Sequence, residues 1–205
     1  MENRRYLMTY SLLDSWLWWV DNEWGDSDQA RKDFETTLNR KRIPDNIYMQ
    51  AGRDFESCVR LVDRGNILLE FPQPPYGSCV WQVAEKIKGG AWQASGYLDV
   101  VINKKNYLLY GKSDVLRGPE VFDIKFTRKY QTGKYYKKLQ HPMYFACFPA
   151  IDTLTYLISN GKEVFEEVYR REDTSRIEDT IYEFQQWLAN YPNYQDTYYE
   201  KWRAL

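Results

Sequence analysis

Histidine occurs once in the 205 residues, at His141, which excludes HExxH zinc sites and every multi-histidine metal centre. Cysteine occurs three times, at Cys58, Cys79 and Cys147, far apart and without a CxxC pair. That excludes a disulfide framework and a four-thiolate zinc or iron–sulfur cage, and fits a reducing, cytoplasmic setting. No apolar run reaches the ~18 residues of a membrane span. The N-terminal run LLDSWLWWV is short, contains Asp14 and lacks a small-residue cleavage site, so it does not read as a signal peptide. Net charge is −1, so no global basic field is present.

One absence is local and more informative. Between Asp123 and Asp152 there is no acidic residue, while Lys125, Arg128, Lys129, Lys134, Lys137 and Lys138 fall inside that stretch. Phe126, Tyr130, Tyr135 and Tyr136 interleave with these cations, the mixture that a single-stranded or duplex polyanion meets on its binding surfaces. A solvated charged face is the alternative. Aromatic residues are plentiful at 17%, and rings can fill a core or line an interface.

The length suits one domain spanning 1–205, with residues 1–46 as a helical N-terminal extension packed on it. Leu12, Leu13, Trp16, Val20 and Trp24 recur at helical spacing, and Ser11 with Asp14 fits a capping box, predicting a helix over 10–24. A short helix over 30–40 and a loop to Pro44 follow. Phe55, Cys58, Val59 and Val62 predict a helix over 47–64 that Gly65 stops. The prolines of 71–78 predict a loop, and the alternation of CVWQVAEKIK a strand over 79–88. From Gly96 three closely spaced strands (96–102, 107–116, 121–126) predict an antiparallel meander. A helix near Gln140, strands over 153–159 and 164–171, and an amphipathic helix over 175–190 complete an α/β fold with a central mixed sheet flanked by helices.

Asp123 and Lys125 alternate in one strand and so share a face, with Ile124 turned to the core. Asp114 lies in the preceding apolar run, across a tight turn. Two carboxylates side by side repel unless a cation sits between them. A hard divalent ion such as Mg²⁺ takes oxygen ligands of this kind, and a lysine beside it can steady negative charge on a phosphate. An Asp–Lys ion pair at a sheet edge is the plain alternative for a lone D-x-K.

The order of parts resembles the PD-(D/E)xK nuclease superfamily, in its RecB-like exonuclease branch with phage and Cas4-related members. The motifs are Gly52-Arg-Asp-Phe55-Glu56, Gly111-Lys-Ser-Asp114, Asp123-Ile-Lys125 and Gln140-His-Pro-Met-Tyr144. The match spans residues 47–160 and lacks the iron–sulfur cysteines of Cas4 proper. The resemblance implies a restriction-endonuclease-like fold. It implies Glu56, Asp114 and Asp123 as metal-site acids for Mg²⁺ or Mn²⁺, with the Ile124 carbonyl as a further ligand, and Lys125 as the catalytic lysine. Gln140 and Tyr144 are implied as active-site or DNA-contacting residues, beside the basic segment of Arg128, Lys129, Tyr130 and Lys134. The expected activity is metal-dependent DNA cleavage, as an exonuclease, in recombination, repair or phage DNA metabolism. The expected partner is DNA, with a phage or host recombination or repair protein beside it and no membrane. Two other readings stand beside this one: an inactive nuclease-fold DNA-binding factor, and a protein-interaction factor using exposed tyrosines. Gly96 to Asp99 forms a rival G-x-x-D, ranked below Asp114 because it is farther from the D-x-K strand.

Overall fold

The computed structural model describes residues 4–21, 26–65 and 77–204. The end of the expected first helix, with Trp24, and most of the 71–78 loop lie outside these residues. In chain order the described elements are β1 (Arg5–Thr9), α1 (Tyr10–Val20), α2 (Ser27–Leu38), α3 (Ile47–Asp63), α4 (Cys79–Ile87), β2 (Ala91–Trp92), β3 (Ser95–Ile102), β4 (Lys105–Lys112) and β5 (Val115–Arg117). They continue with β6 (Glu120–Phe126), α5 (Gln140–Cys147), β7 (Thr153–Ser159), β8 (Val164–Arg170), α6 (Ile177–Ala189) and α7 (Pro192–Lys201).

The strands form two mixed sheets. One has the order β1-β4-β3, the other β2-β5-β6-β7-β8. Strands β6 and β7 run parallel, with Asp123 beside Tyr156 and Ile124 beside Leu157. The meander passes through both sheets. Strands β3 and β4 pair antiparallel across a two-residue turn in which Asn103 and Lys104 both take positive φ, and β5 pairs antiparallel with β6 in the second sheet. The expected single strand over 107–116 is therefore two strands, broken at Ser113 and Asp114. The short connection from β2 to β3 fills the break: Ser113 N–H donates to the Ala94 carbonyl (2.9 Å) and Gln93 N–H to that of Asp114 (2.8 Å).

Two apolar clusters flank this arrangement. One gathers α1, α2, α5, α6 and the C-terminal Tyr198 and Trp202 around Leu109, Tyr144 and Tyr156. The other packs Phe55, Val59 and the buried face of α4 against Phe122, Ile124 and Leu157. Burying such side chains contributes about 1.5–3 kcal/mol each. Segment 79–88 is a helix, not the expected strand. Val80, Val83, Ala84 and Ile87 recur at three- and four-residue spacing and are all buried, a pattern that a short apolar run hides among its alternations. Helix α1 is capped by Thr9, whose Oγ1 accepts from Leu12 N–H (3.4 Å), rather than by the Ser11–Asp14 box. Asp14 is used elsewhere: its Oδ1 accepts from Leu139 N–H (3.1 Å), just ahead of α5.

That contact fixes one end of α5. Arg171 fixes the other, donating to the carbonyls of Phe145 (2.7 Å), Phe148 (2.9 Å) and Ile151 (2.8 Å). An acid at the first turn and a guanidinium at the last suit the helix dipole. Pro142 falls in the first turn, where no N–H is needed for the helix ladder, so the helix starts at Gln140 as expected. Helix α5 comes close to the sheet where two glycines face each other across β3 and β4, Gly96 against Gly111. A Cβ on Gly96 would stand 2.6 Å from the Cys147 carbonyl oxygen, and one on Gly111 would stand 2.9 Å from the Tyr144 ring.

Candidate active site

The break between β4 and β5 carries Asp114 inward. Its Oδ2 accepts a hydrogen bond from Ile124 N–H (2.8 Å) on the neighbouring strand. Asp123, 1% exposed, projects from β6 on the same side as Lys125. Lys125 Nζ lies 2.5 Å from Asp123 Oδ2, and Gln140 Nε2 donates to Asp123 Oδ1. Gln140 Nε2 also lies 3.0 Å from the Tyr144 hydroxyl, which donates to the Lys112 carbonyl. The D-x-K pair, the G-x-x-D segment and the Q-x-x-x-Y helix thus meet around one carboxylate. Gln140 and Tyr144 are both buried, and what they touch is this support rather than the surface.

The electrostatics follow from two neighbouring acids, Asp123 buried and Asp114 part-buried. Burial holds the Asp114 carboxyl well above the ordinary carboxylate range, and the charges of Asp123 and Glu56 add to this, against the pull of Lys125 and the Ile124 N–H. Burial alone would lower the Lys125 ammonium. Asp123, Tyr10 and Asp114 more than offset that, and the group is raised and firmly charged.

Glu56 sits at the rim. Its side chain is 27% exposed, 3.6 Å from Arg60, and its Oε1 accepts from Gln93 Nε2 at 3.2 Å. Gln93 is the residue whose N–H pairs with the Asp114 carbonyl, so Glu56 touches the break through one intermediary. Among the described residues no three histidine, cysteine or acidic side chains converge closely enough to hold an ion. The inner pair still fits one in chemistry. Asp123 Oδ2 is buried and makes no aligned hydrogen bond, and the Asp114 carboxyl is only partly compensated by Lys125 and the Ile124 N–H. The rival Asp99 is excluded from this centre. It is exposed on β3 and paired with Arg5 at 3.0 Å.

The basic segment lies between β6 and α5. Arg128, Lys129, Lys134, Lys137 and Lys138 are exposed, but the rings among them divide. Tyr136 is 71% exposed, whereas Tyr130 stacks on Phe165 (4.6 Å) and Tyr135 on Tyr156 (4.7 Å). Lys134 Nζ donates to Thr127 Oγ1 (3.0 Å).

One residue that motif reading missed shapes this loop. Glu167 of β8 accepts from the Tyr130 hydroxyl (2.8 Å), Gly133 N–H (2.9 Å) and Lys134 N–H (3.1 Å) on Oε1. On Oε2 it accepts from Tyr135 N–H (3.3 Å) and the Tyr169 hydroxyl (2.6 Å). In the sequence it is one more acid in an alternating strand. Tyr10, which opens α1, also reaches the site and carried no sequence signal.

His141 stands apart from the chemistry. It stacks on Tyr169 (4.3 Å), and burial, partly opposed by Glu167, lowers it to about 4. Above the ordinary 6.5 the imidazole is neutral folded or unfolded and contributes nothing to pH dependence. As pH falls from 6.5 towards about 4, the unfolded chain takes a proton that the folded one refuses, and stability is lost. Urea titrations at neutral pH and near the lower limit are expected to show the wild type losing up to ~3 kcal/mol more than His141→Phe. Equal losses in the two would contradict the buried neutral imidazole.

No protein-family model matches the chain, and no curated protein matches it in sequence. Solved structures do. The crystal structure of SSO0001 aligns over 91% of this chain and 75% of its own, at 14% identity and a TM-score of 0.47. The crystal structure of LHK-Exo in complex with dAMP aligns over 92% of this chain and 90% of its own, at 15% identity and a TM-score of 0.50. The chain shares with the latter a single-domain α/β fold of restriction-endonuclease-like architecture, mixed sheets flanked by helices.

Proposed function

We infer that the chain is a divalent-metal-dependent nuclease acting on DNA, an exonuclease of the RecB-like PD-(D/E)xK branch. The observation that carries this reading is the meeting of part-exposed Asp114 and Lys125 with buried Asp123, Gln140 being braced against Asp123. The fold shared with an exonuclease whose crystal structure holds dAMP supports the choice of substrate.

Asp114 and Asp123 would hold Mg²⁺ or Mn²⁺, with the Ile124 carbonyl and Glu56 completing the set. The ion, when bound, supplies polarisation of the phosphate and activation of water. The protein's own groups do the rest. Lys125 presents a fixed positive charge beside the acids and steadies negative charge as it gathers on the phosphate oxygens. Gln140, itself contacted by the Tyr144 hydroxyl, holds the Asp123 carboxylate at one angle. Arg128, Lys129 and Lys134 face outward next to the centre and attract the backbone of the strand. Recombination, repair and phage DNA metabolism are the settings in which such an activity belongs.

End-labelled single- and double-stranded DNA, incubated with Mg²⁺, with Mn²⁺ and with EDTA, tests the reading. Cleavage that EDTA abolishes and added metal restores is the expected result. No cleavage with either metal overturns it. Salt-sensitive DNA affinity without cleavage would instead mark a nuclease-fold binding factor.

A further inference from the structure

Tyr10 belongs to none of the motifs, yet it borders the site they build. It opens α1, and its ring meets that of Tyr144 edge to face with centroids 5.9 Å apart. The Tyr144 hydroxyl contacts Gln140, and Gln140 holds Asp123, so Tyr10 is linked to the carboxylate at the centre through two side chains, the Tyr144 ring and the Gln140 amide. The charges acting on its phenol are those of the site: Lys125, Asp123 and Asp114, with Asp14 one turn farther along α1. The residue is half-buried, so part of its side chain is accessible. Its hydroxyl makes no hydrogen bond with any other described residue.

The helix that presents it is held firmly. Asp14, on the same face of α1, accepts from Leu139 N–H (3.1 Å) and lies 3.5 Å from Lys138. Movement of α1 relative to α5 would break that contact, so Tyr10 keeps its place beside Gln140 and Tyr144. A phenol O–H without a hydrogen-bond partner among the described residues, in the field of a lysine and two acids, is a donor awaiting an acceptor. Burial raises the phenol to about 12, so the proton is present at neutral pH and the group donates. The acceptor that such a centre admits is anionic and carries exposed oxygens, as a phosphodiester does.

We propose that Tyr10 is a substrate-contacting residue whose phenol O–H donates to a non-bridging oxygen of the DNA phosphate lying against Lys125. This rests on the nuclease reading and adds to it a contact from the N-terminal helix, outside the motif-bearing segment. A purely structural Tyr10 would act through its ring, which phenylalanine retains. The test is therefore Tyr10→Phe, with Tyr10→Ala for comparison.

Affinity for a fluorescein-labelled oligonucleotide in EDTA, kcat and KM with metal, and the thermal midpoint are measured on each variant. Tyr10→Phe is expected to unfold at the wild-type temperature, because its hydroxyl has no hydrogen-bond partner among the described residues. It is also expected to weaken DNA binding, or lower kcat/KM, by roughly tenfold to a hundredfold, the effect of losing a hydrogen bond to a charged group. Tyr10→Ala is expected to lose stability as well. Wild-type binding and kinetics in Tyr10→Phe, with cleavage still dependent on Lys125, would overturn the contact and leave the nuclease reading intact. A midpoint lowered as far as that of Tyr10→Ala would overturn it too, by assigning the hydroxyl to folding. If the wild type binds DNA without cutting it, the nuclease reading fails and the affinity of Tyr10→Phe alone decides the contact. If the wild type binds no DNA, both fall.

Discussion

Lys125→Ala is expected to lower DNA cleavage by at least roughly 10²–10³-fold, the usual effect of removing one group that stabilises developing charge. The same substitution should lower stability in the absence of metal. Asp123, 2% exposed at its side chain, loses the ammonium 2.5 Å away, and Asp114 loses the charge that opposes its neighbours. Leaving a buried carboxylate without its partner costs about 3–5 kcal/mol, and the lower end applies because Lys125 itself is 29% exposed. The pH dependence has a definite sign. An acid raised in the folded state destabilises at pH values above its ordinary 3.8, and the penalty shrinks as pH falls and the folded carboxyl takes its proton. Lys125→Ala should therefore recover part of its lost stability on mild acidification. Added Mg²⁺ should stabilise the variant more than the wild type, since the ion supplies the missing charge. Lys125→Arg separates the two effects. It keeps the charge and most of the stability, but its planar fork cannot reproduce a point charge, so cleavage stays low. Urea unfolding with and without Mg²⁺, beside a cleavage assay, checks each statement. Cleavage retained in Lys125→Ala would remove the lysine from the mechanism.

Glu167→Ala carries the second large effect, on binding and stability together. Five donors converge on this carboxylate, three of them backbone N–H groups of the basic segment. Truncation leaves them without an acceptor, at a cost of roughly 3 kcal/mol when several are part-exposed. DNA affinity supplies a readout with opposed expectations. Removing an acid makes the protein more positive, and charge alone would tighten binding to a polyanion. Loss of the anchored loop would weaken it, because Arg128, Lys129 and Lys134 would no longer be held at fixed positions. Weaker binding despite the more favourable net charge is the expected result, and tighter binding would show that the loop needs no anchor. Glu167→Gln should fall between, since an amide offers one acceptor oxygen and turns a donor towards N–H groups.

Periodic elements were the readable part of the fold. The predicted helices over 47–64 and 175–190 stand as α3 and α6, because each carries a continuous apolar face whose partners are simply whatever the core provides. Strands β7 and β8 were equally plain. Strand β1 was not, since five residues at a sheet edge pair with β4 about a hundred residues later and no local pattern announces that. Helix α7 hid behind its polar composition. Pro192 opens it, and only Tyr198 among its residues is buried. In the site, the D-x-K pair and its helix were legible because strand alternation and helix spacing fix relative directions. Glu167 and Tyr10 were not, because their roles depend on which loop and which ring come to lie beside them.

The four residues from Gly111 to Asp114 act as a ruler. Gly111 admits the Tyr144 ring, the Lys112 carbonyl receives its hydroxyl, Ser113 ties to Ala94, and Asp114 reaches across to Ile124. Three of these four contributions come from the backbone or from the lack of a side chain, and the exposed Lys112 side chain takes no part in them. Chain length here is thus constrained more tightly than residue identity. Lys112 can vary in chemistry, whereas one residue added or removed would move Asp114 off its strand neighbour while Tyr144 stayed in place. A family built on this segment would keep the spacing between glycine and aspartate and let the letters between them drift.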